Sequence, residues 1–214
     1  MADGVSSLSA SRIDGSDDPC RSQEISETLR TFTPLTSAEQ EFLLRLARRT
    51  LEAYVDTRTA PPAHLPPGLS LSDHRGVFVT LYSKGKLRGC VGCHRSDDPL
   101  YRTVQNMAVS SGFRDPRFPP LRRNELGHVT LEISAYLTTV VSIGSAEEFV
   151  VGRHGIIMRI GGLAATFLPK VAVQQGWNRV QTLERLCQKA GLSGDAWTSP
   201  EARFSVYETQ VFSE

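Results

Sequence analysis

A β-hairpin is the feature of the sequence that most constrains the fold. The segment Gly76–Ser83 (GVFVTLYS) is rich in β-branched and aromatic residues, and a second strand-like segment, Leu87–Cys93 (LRGCVGC), follows it closely. Lys84-Gly85-Lys86 between them is typical of a tight turn. We therefore expect two neighbouring antiparallel strands.

Other segments predict further strands. Val129–Leu137 alternates apolar and polar side chains, which indicates a half-buried strand. Gly155–Ile160 and Leu163–Leu168 flank a glycine pair and predict a second hairpin. A final strand is expected over Phe204–Phe212. Because strands and helices interleave without strict β-α-β order, we predict an α+β fold with a mixed or antiparallel sheet and flanking helices.

Capping signals locate the helices. Thr36-Ser37-Ala38-Glu39 is a capping box, and the apolar periodicity behind it predicts a helix to about Val55. Pro99 suits the first position of a second helix, which Asp98 would cap. The predicted N-caps are, in chain order, Thr36, Asp98, Ser145 and Asn178.

Composition narrows the class of protein. The chain has 214 residues, with 24 Lys and Arg against 23 Asp and Glu. A net charge of +1 gives no reason to expect nucleic acid or an anionic membrane as a partner. Residues 1–34 are rich in Ser, Asp, Gly and Thr and are predicted to form a disordered tail, with the folded domain over residues 35–214.

The expected location is cytoplasmic. No apolar run approaches the ~18 residues of a membrane span, and Met1–Arg12 lacks the apolar stretch of an export signal. Four cysteines in a chain of this length do not indicate a disulfide framework, so reduced thiols are expected. The cysteines are Cys20, Cys90, Cys93 and Cys187.

Cys90 is the candidate catalytic residue. In the second strand of the hairpin, Leu87 and Val91 are expected to point to the core, which turns Arg88 and Cys90 to the other face. A neighbouring guanidinium favours a thiolate, the form that a nucleophilic cysteine requires.

Two glycines, Gly89 and Gly92, lie close to this cysteine. Glycines in a strand often mark the close approach of a ligand or of another backbone. One interpretation is that they leave the sulfur uncovered for a ligand. The other is that Cys90 is a small packed residue and that the glycines serve tight packing.

The pattern Cys90-x-x-Cys93-His94 also matches a c-type haem attachment site and part of a zinc site. Haem attachment needs an oxidising compartment, and zinc needs about four ligands, of which three cluster here. A thioredoxin-like pair would need a helix N-terminus. We therefore predict no cofactor and no metal. Binding of a metal or haem is kept as a third hypothesis, beside the two functional hypotheses given below.

A proline-rich loop, Phe113–Pro120 (FRDPRFPP), is the candidate ligand-binding element. Arg114 and Arg117, together with Arg88, would hold an anion, and Asp115 would orient an arginine. Alternatively, Asp115 pairs with an arginine and the loop only braces the sheet.

Weaker candidates lie elsewhere in the sequence. Glu132 and Glu208, on predicted strands, are candidate general bases, and His94 is a further candidate. Walker, GxGxxG, HExxH, GxSxG and kinase motifs do not occur in the sequence.

These segments, in this order, resemble the AMMECR domain family, also called AmmeMemoRadiSam system protein A. The most specific match is LRGCVG followed by DPRFPPL, and the resemblance spans Leu35–Phe212. It implies two unequal lobes, a larger one and a smaller inserted one, with the LRGCVG strand at a cleft. It also implies kinship in a pathway with a Memo-like, extradiol-dioxygenase-like protein and a radical-SAM protein. Cys93-His94 departs from the usual pattern, which lowers the expectation of a metal or redox role there.

Two functional hypotheses follow. In the first, the protein is an enzyme or enzyme-like accessory protein in which Cys90 acts as a nucleophile or acid–base group on a small anionic ligand. In the second, the LRGCVG strand and the DPRFPP loop form a non-catalytic docking surface for a protein partner, such as the Memo-like or radical-SAM protein.

Overall fold

The structure is a computed structural model that describes residues 28–214. Within these residues the chain alternates helices and strands, with short 3₁₀ segments at Arg123–His128, Ala146–Glu148 and Ala196–Thr198. The helices are α1 (Ser37–Thr57), α2 (Leu100–Phe113), α3 (Pro169–Gln175) and α4 (Arg179–Lys189). The strands are β1 (Val77–Ser83), β2 (Lys86–Cys93), β3 (Val129–Tyr136), β4 (Val141–Ile143), β5 (Gly155–Ile160), β6 (Leu163–Phe167), β7 (Arg203–Tyr207) and β8 (Thr209–Ser213).

The described chain forms two compact units. The larger comprises Arg30–Thr139 and Thr209–Glu214 and contains a four-stranded sheet in the order β2-β1-β3-β8. The smaller comprises Val140–Glu208 and contains a four-stranded sheet in the order β4-β7-β5-β6. All strand pairs are antiparallel, so the predicted α+β class is confirmed. None of the helices within residues 28–214 is long and apolar enough to cross a membrane.

The core of the larger unit lies between one face of its sheet and helices α1 and α2. Val79 and Leu81 of β1 and Leu131 and Ile133 of β3 are fully buried there. Because successive side chains of a strand point to opposite faces, the intervening residues lie on the other face of the sheet. That second face carries the candidate site.

Several local predictions are confirmed. Thr36 accepts a hydrogen bond from the Glu39 N–H while Glu39 accepts one from the Thr36 N–H, as expected for the capping box of α1. The turn at Lys84 and Gly85, both with positive φ, joins β1 to β2. The hairpin of β5 and β6 and the capping of α4 by Asn178 are also as predicted.

The start of α2 differs from the prediction. The helix begins at Leu100, with Pro99 as its N-cap, and the side chain of Asp98 makes no cap bond. Instead, the Leu100 N–H donates to the carbonyl of Asp73 at 2.9 Å, which satisfies one free N–H of the first turn. The helix runs to Phe113, so the proline-rich loop begins one residue later than its predicted start at Phe113.

A β-bulge makes one prediction about β2 wrong. The register shifts so that Leu81 pairs with Gly89 but Tyr82 pairs with Leu87, leaving Arg88 as the extra residue. Since a shift of one residue reverses the facing of a strand, Leu87 leaves the core side and is 39% exposed. Val91, beyond the bulge, packs against the core as predicted.

The predicted last strand is in fact two strands. β7 pairs with β4 and β5 in the smaller unit, and β8 pairs with β3 in the larger one. Glu208 lies between them and not within a strand. The stretch contains no glycine or proline, which is why the sequence pattern did not reveal the division.

The predicted tail is only partly covered by the structure. Residues 1–27, with Cys20, lie outside the described residues. Thr31 forms a β-bridge with Thr138, and the Phe32 N–H donates to the Leu137 carbonyl at 2.8 Å. Residues 31 and 32 therefore have defined contacts at the end of β3.

Gly89 lets α2 approach β2 closely, which gives a test of the packing. A Cβ at Gly89 would lie 2.2 Å from the Ser111 backbone oxygen. We therefore expect Gly89→Ala to lower the free energy of unfolding by at least about 2 kcal/mol, measured by urea denaturation. Gly127→Ala is the control, since a Cβ there meets no atom within 4 Å, and a similar loss in both variants would contradict the packing described.

Candidate active site

The candidate site is a polar row across the second face of the larger sheet. Thr80 of β1 lies directly opposite Cys90 of β2 on one side and Glu132 of β3 on the other. All three side chains therefore point to the same face, away from α1 and α2. Two strand spacings separate Cys90 from Glu132, or about 10 Å between their Cα atoms.

Cys90 is half-buried, and its sulfur has one hydroxyl partner. Thr80, which is 2% exposed, donates a hydrogen bond from its Oγ1 to Cys90 Sγ at 3.3 Å. Thr80 thus fixes a hydroxyl donor against the sulfur of Cys90.

Tyr82 and Glu132 complete this face. The Tyr82 hydroxyl donates to Glu132 Oε1 at 3.3 Å. Burial raises the pKa of Tyr82 above its ordinary value, and the negative charge of a Cys90 thiolate acts in the same direction. Tyr82 therefore stays protonated and available as a donor at neutral pH.

The loop after α2 holds the backbone of Cys90. The Cys90 N–H donates to Asp115 Oδ2 at 2.9 Å, and Arg117 Nη2 donates to the Cys90 carbonyl at 3.0 Å. β2 is an edge strand, so these backbone groups face away from β1 and the two side chains pair with them as a neighbouring strand would. The predicted approach of this loop to Cys90 is therefore observed at the backbone.

Asp115 and Arg117 also bind each other. Arg117 Nε and Nη2 donate to the two carboxylate oxygens at 2.9 and 2.7 Å, and Asp115 is only 4% exposed. Burial by itself would raise the pKa of Asp115, but the hydrogen bonds from Arg117 and from the Cys90 N–H outweigh it and lower that pKa. The Asp115 hydrogen bond raises the pKa of Arg117, and the charge of a Cys90 thiolate adds to the rise.

Arg88 has a different setting from the one that strand alternation predicts. As the bulge residue it turns to Glu125, to which its Nε and Nη2 donate at 2.7 and 3.1 Å, and to the carbonyl of Pro119 at 2.9 Å. The bond from Arg88 lowers the pKa of Glu125. Arg88 and Arg117 lie 5.9 and 5.5 Å from the centre of the Phe118 ring. Both guanidinium groups are therefore already held by a carboxylate and a carbonyl.

Arg114 is the remaining arginine of the predicted set. It is exposed at the end of α2, and its side chain forms no ion pair with any of the residues from 28 to 214. Of the three arginines, it is the one free to meet a ligand in solution.

The two glycines serve packing. Gly89 accommodates the backbone of Ser111, and a Cβ at Gly92 would lie 2.3 Å from the Phe78 ring. Because Gly92 is on the same face as Cys90, the Phe78 ring fills the space on that side of the cysteine. The interpretation in which the glycines leave the sulfur uncovered is therefore wrong for that side, and the exposure of Cys90 arises elsewhere around it.

The other candidates are spread over the molecule. His94 follows β2, and its Nδ1 lies 2.5 Å from the Tyr136 hydroxyl. Glu208 belongs to the smaller unit, where Arg153 donates to it at 2.9 Å. The structure thus brings Glu132 onto the face of Cys90 and gives His94 and Glu208 other partners.

The two cysteines of the Cys90-x-x-Cys93-His94 pattern lie on opposite faces of β2. Cys93 pairs with Val77 and is 2% exposed in the core, whereas Cys90 is on the opposite face. In the part of the chain that the structure covers, no group of three His, Cys, Asp or Glu side chains is placed to hold a metal ion. The pair cannot bind one ion without rebuilding the strand.

Thr80, Tyr82 and Glu125 are site residues that the sequence analysis missed. Thr80 and Tyr82 alternate with Val79 and Leu81 in β1, so the period of the strand carried a signal for them. Glu125 had no such signal, because its contact with Arg88 depends on the bulge.

Fold and site together define a two-unit α+β protein with a partly exposed cysteine on an edge strand, held by an Asp-Pro-Arg loop. The sequence pattern of the AMMECR1 family matches residues 44–212, and the chain belongs to this family. The predicted resemblance is confirmed.

Relatives support this assignment. A protein from Methanopyrus kandleri is 39% identical over 188 residues, which cover 84% of this chain and 90% of the relative. One from Pyrobaculum islandicum is 35% identical over 192 residues, covering 86% of each chain. The crystal structure of an uncharacterised protein from Pyrococcus horikoshii matches with a TM-score of 0.77 and 35% identity, over 84% of this chain and 93% of that one.

The buried pair of Asp115 and Arg117 gives a pH-dependent prediction. The pKa of Asp115 in the folded protein lies below its ordinary 3.8, so the stabilisation is present above pH about 4 and is lost as pH falls through the folded value. We expect Asp115→Asn to cost about 2–4 kcal/mol of unfolding free energy at pH 7, because it leaves a largely buried arginine without its partner.

Urea denaturation at pH 7 and at pH 3 measures this effect, and the difference between the wild type and the variant should shrink at pH 3. Asp56→Asn is the control, since it removes an exposed carboxylate that binds Arg123 and should change stability little. A loss for Asp115→Asn that is equal at both pH values would contradict the ion-pair account.

Proposed function

We propose that this AMMECR1-family protein is a thiol-dependent enzyme, or enzyme-like accessory protein, that acts on a small anionic ligand with Cys90 as the nucleophile. The observation that carries the proposal is the setting of Cys90. The residue is partly exposed, and its sulfur accepts a hydrogen bond from Thr80 at 3.3 Å, while Asp115 and Arg117 hold its backbone on the outer side. A buried structural cysteine does not need this support.

In this proposal the chemistry is a displacement at an electrophilic carbon of the ligand. Cys90 loses its proton to water, and the thiolate sulfur forms a bond to that carbon. The leaving group departs with the electrons of its own bond to the carbon. Glu132, with Tyr82 bound to it, is the candidate base for a later attack by water on the covalent intermediate.

The choice of an anionic ligand is supported by the positive charge beside Cys90. The Arg117 guanidinium lies 3.0 Å from the Cys90 carbonyl, and Arg114, three residues earlier, is exposed. Asp115 neutralises much of the Arg117 charge, so Arg114 would supply the attraction for a ligand. In this proposal Arg88 supports the site through Glu125 and does not contact the ligand.

A cytosolic location agrees with the state of the cysteines. Cys90, Cys93 and Cys187 are free thiols, as is usual for proteins of a reducing compartment. The Memo-like and radical-SAM proteins implied by the sequence resemblance are the proposed pathway partners.

A second candidate function is a docking module, and the exposure of Leu87 favours it. The bulge at Arg88 turns Leu87 outward, and Pro119 and Pro120 of the neighbouring loop are also exposed. Apolar side chains among basic ones are suited to contact with a protein partner. In that case Cys90 would only pack, and its reactivity would be that of an ordinary thiol.

Two alkylating reagents of different charge test the proposal. Iodoacetate and iodoacetamide form the same type of sulfur–carbon bond and release iodide, but only iodoacetate is an anion. We expect the ratio of their rates at Cys90 to exceed the ratio for free cysteine, and to fall about twofold in Arg114→Gln because the positive charge that the proposal assigns to the ligand site is lost. Peptide mass spectrometry measures both rates.

Arg45→Gln is the matched control, since it removes an exposed arginine of α1. It should leave the ratio at Cys90 unchanged. A ratio in the wild-type protein no greater than that of free cysteine would refute the anionic ligand and favour the docking module.

A further inference from the structure

The hydroxyl of Ser111 bridges strands β1 and β2 directly behind the cysteine. The Val91 N–H donates to Ser111 Oγ at 2.9 Å, and Ser111 Oγ donates to the carbonyl of Val79 at 2.7 Å. Val79 and Val91 are directly opposite each other in the register of the two strands. Ser111 is 1% exposed, so this hydroxyl acts within the core.

The Ser111 hydroxyl binds the same peptide group that Arg117 binds from the outer side of β2. The peptide between Cys90 and Val91 has its carbonyl bound by Arg117 and its N–H bound by Ser111. The preceding N–H, that of Cys90, is bound by Asp115. One short stretch of chain, residues 111–117, therefore fixes the cysteine backbone from both sides.

The fit of this stretch against β2 leaves little freedom. The Ser111 carbonyl lies where a Cβ of Gly89 would be, at 2.2 Å. A peptide plane that is hydrogen-bonded at both its N–H and its carbonyl cannot rotate without breaking one of those hydrogen bonds. The direction of the Cys90 side chain, and with it the contact between Sγ and Thr80, follows from that plane.

We propose that Ser111 is a positioning residue for Cys90, and that it sets the reactivity of the sulfur by orienting the peptide between Cys90 and Val91. The inference deepens the proposed function, on which it rests, by assigning control of the thiol to the last turn of α2. Ser111 touches no ligand and acts only through Cys90.

The test compares loss of the Ser111 hydroxyl with loss of another buried hydroxyl on the same helix. Thr103 of α2 is 2% exposed and donates to Ser96 Oγ at 2.9 Å. Ser111→Ala and Thr103→Ala should both lower the urea midpoint. Only Ser111→Ala should slow alkylation of Cys90 by iodoacetamide, by roughly threefold or more, because a displaced sulfur loses its oriented donor.

Hydrogen exchange supplies a readout that a general loss of stability would not move selectively. In Ser111→Ala the Val91 amide should exchange faster relative to the other amides of β2, and in Thr103→Ala it should keep its relative protection. Equal alkylation rates in Ser111→Ala and the wild type would overturn the proposal. An equal slowing in Thr103→Ala would overturn it as well.

An isosteric pair keeps the test valid if Ser111→Ala does not fold. Ser111→Thr keeps the hydroxyl, and Ser111→Val has the same shape without it, so any steric cost is common to both. The Val variant should react at least about threefold more slowly than the Thr variant, and equal rates would refute the role of the hydroxyl. These outcomes are independent of the charge preference of Cys90, so failure of the anionic-ligand proposal and failure of this inference can be told apart.

Discussion

The candidate site depends on the hydrogen bonds that the carboxylate of Asp115 accepts. It accepts the N–H of Cys90 and two bonds from the Arg117 guanidinium, and Arg117 in turn binds the carbonyl of Cys90. A buried carboxylate is costly unless each oxygen is bound, and here both are. The arrangement therefore fixes the edge of β2 at the residue whose side chain faces the polar row.

Fixing an edge strand has a second consequence. An unpaired edge exposes N–H and carbonyl groups that can pair with another chain. At Cys90 these groups are bound by side chains from the loop that follows α2. The backbone of this residue is therefore not available to another strand, although the face of the sheet stays open. The side chain of Cys90 therefore lies on a backbone that does not itself recruit another strand.

The bulge at Arg88 turns the side chains of Arg88 and Cys90, which are close in the sequence, in different directions. Arg88 and Cys90 would share a face in a regular strand, but the extra residue turns Arg88 to Glu125 and leaves Cys90 opposite Thr80. The positive charges of Arg88 and Arg117 consequently serve mostly to hold loops in place. Arg114 is exposed, and no carboxylate of residues 28–214 neutralises its charge.

Local signals in the sequence were enough for most of the fold. The capping box at Thr36, the turn at Gly85 and the alternation of β3 each depend on neighbours within a few residues. The bulge and the division of the last strand between β7 and β8 depend on which strands meet in space, and no local sequence signal specifies that. The pairing of Asp115 with Arg117 could be anticipated from their spacing, and the alternation of β1 carried a signal for Thr80. The partners Glu125 and Ser111 had no such local signal.

The order in which the cysteines of the native protein are modified tests the central claim most directly. Cys90 is partly exposed, whereas Cys93 and Cys187 are buried at 2% and 0% exposure. With a small excess of iodoacetamide and peptide mapping over time, the account predicts that Cys90 reacts fully before Cys93 or Cys187 is modified. Reaction of Cys90 only at the rate of Cys187, as the protein unfolds, would contradict it.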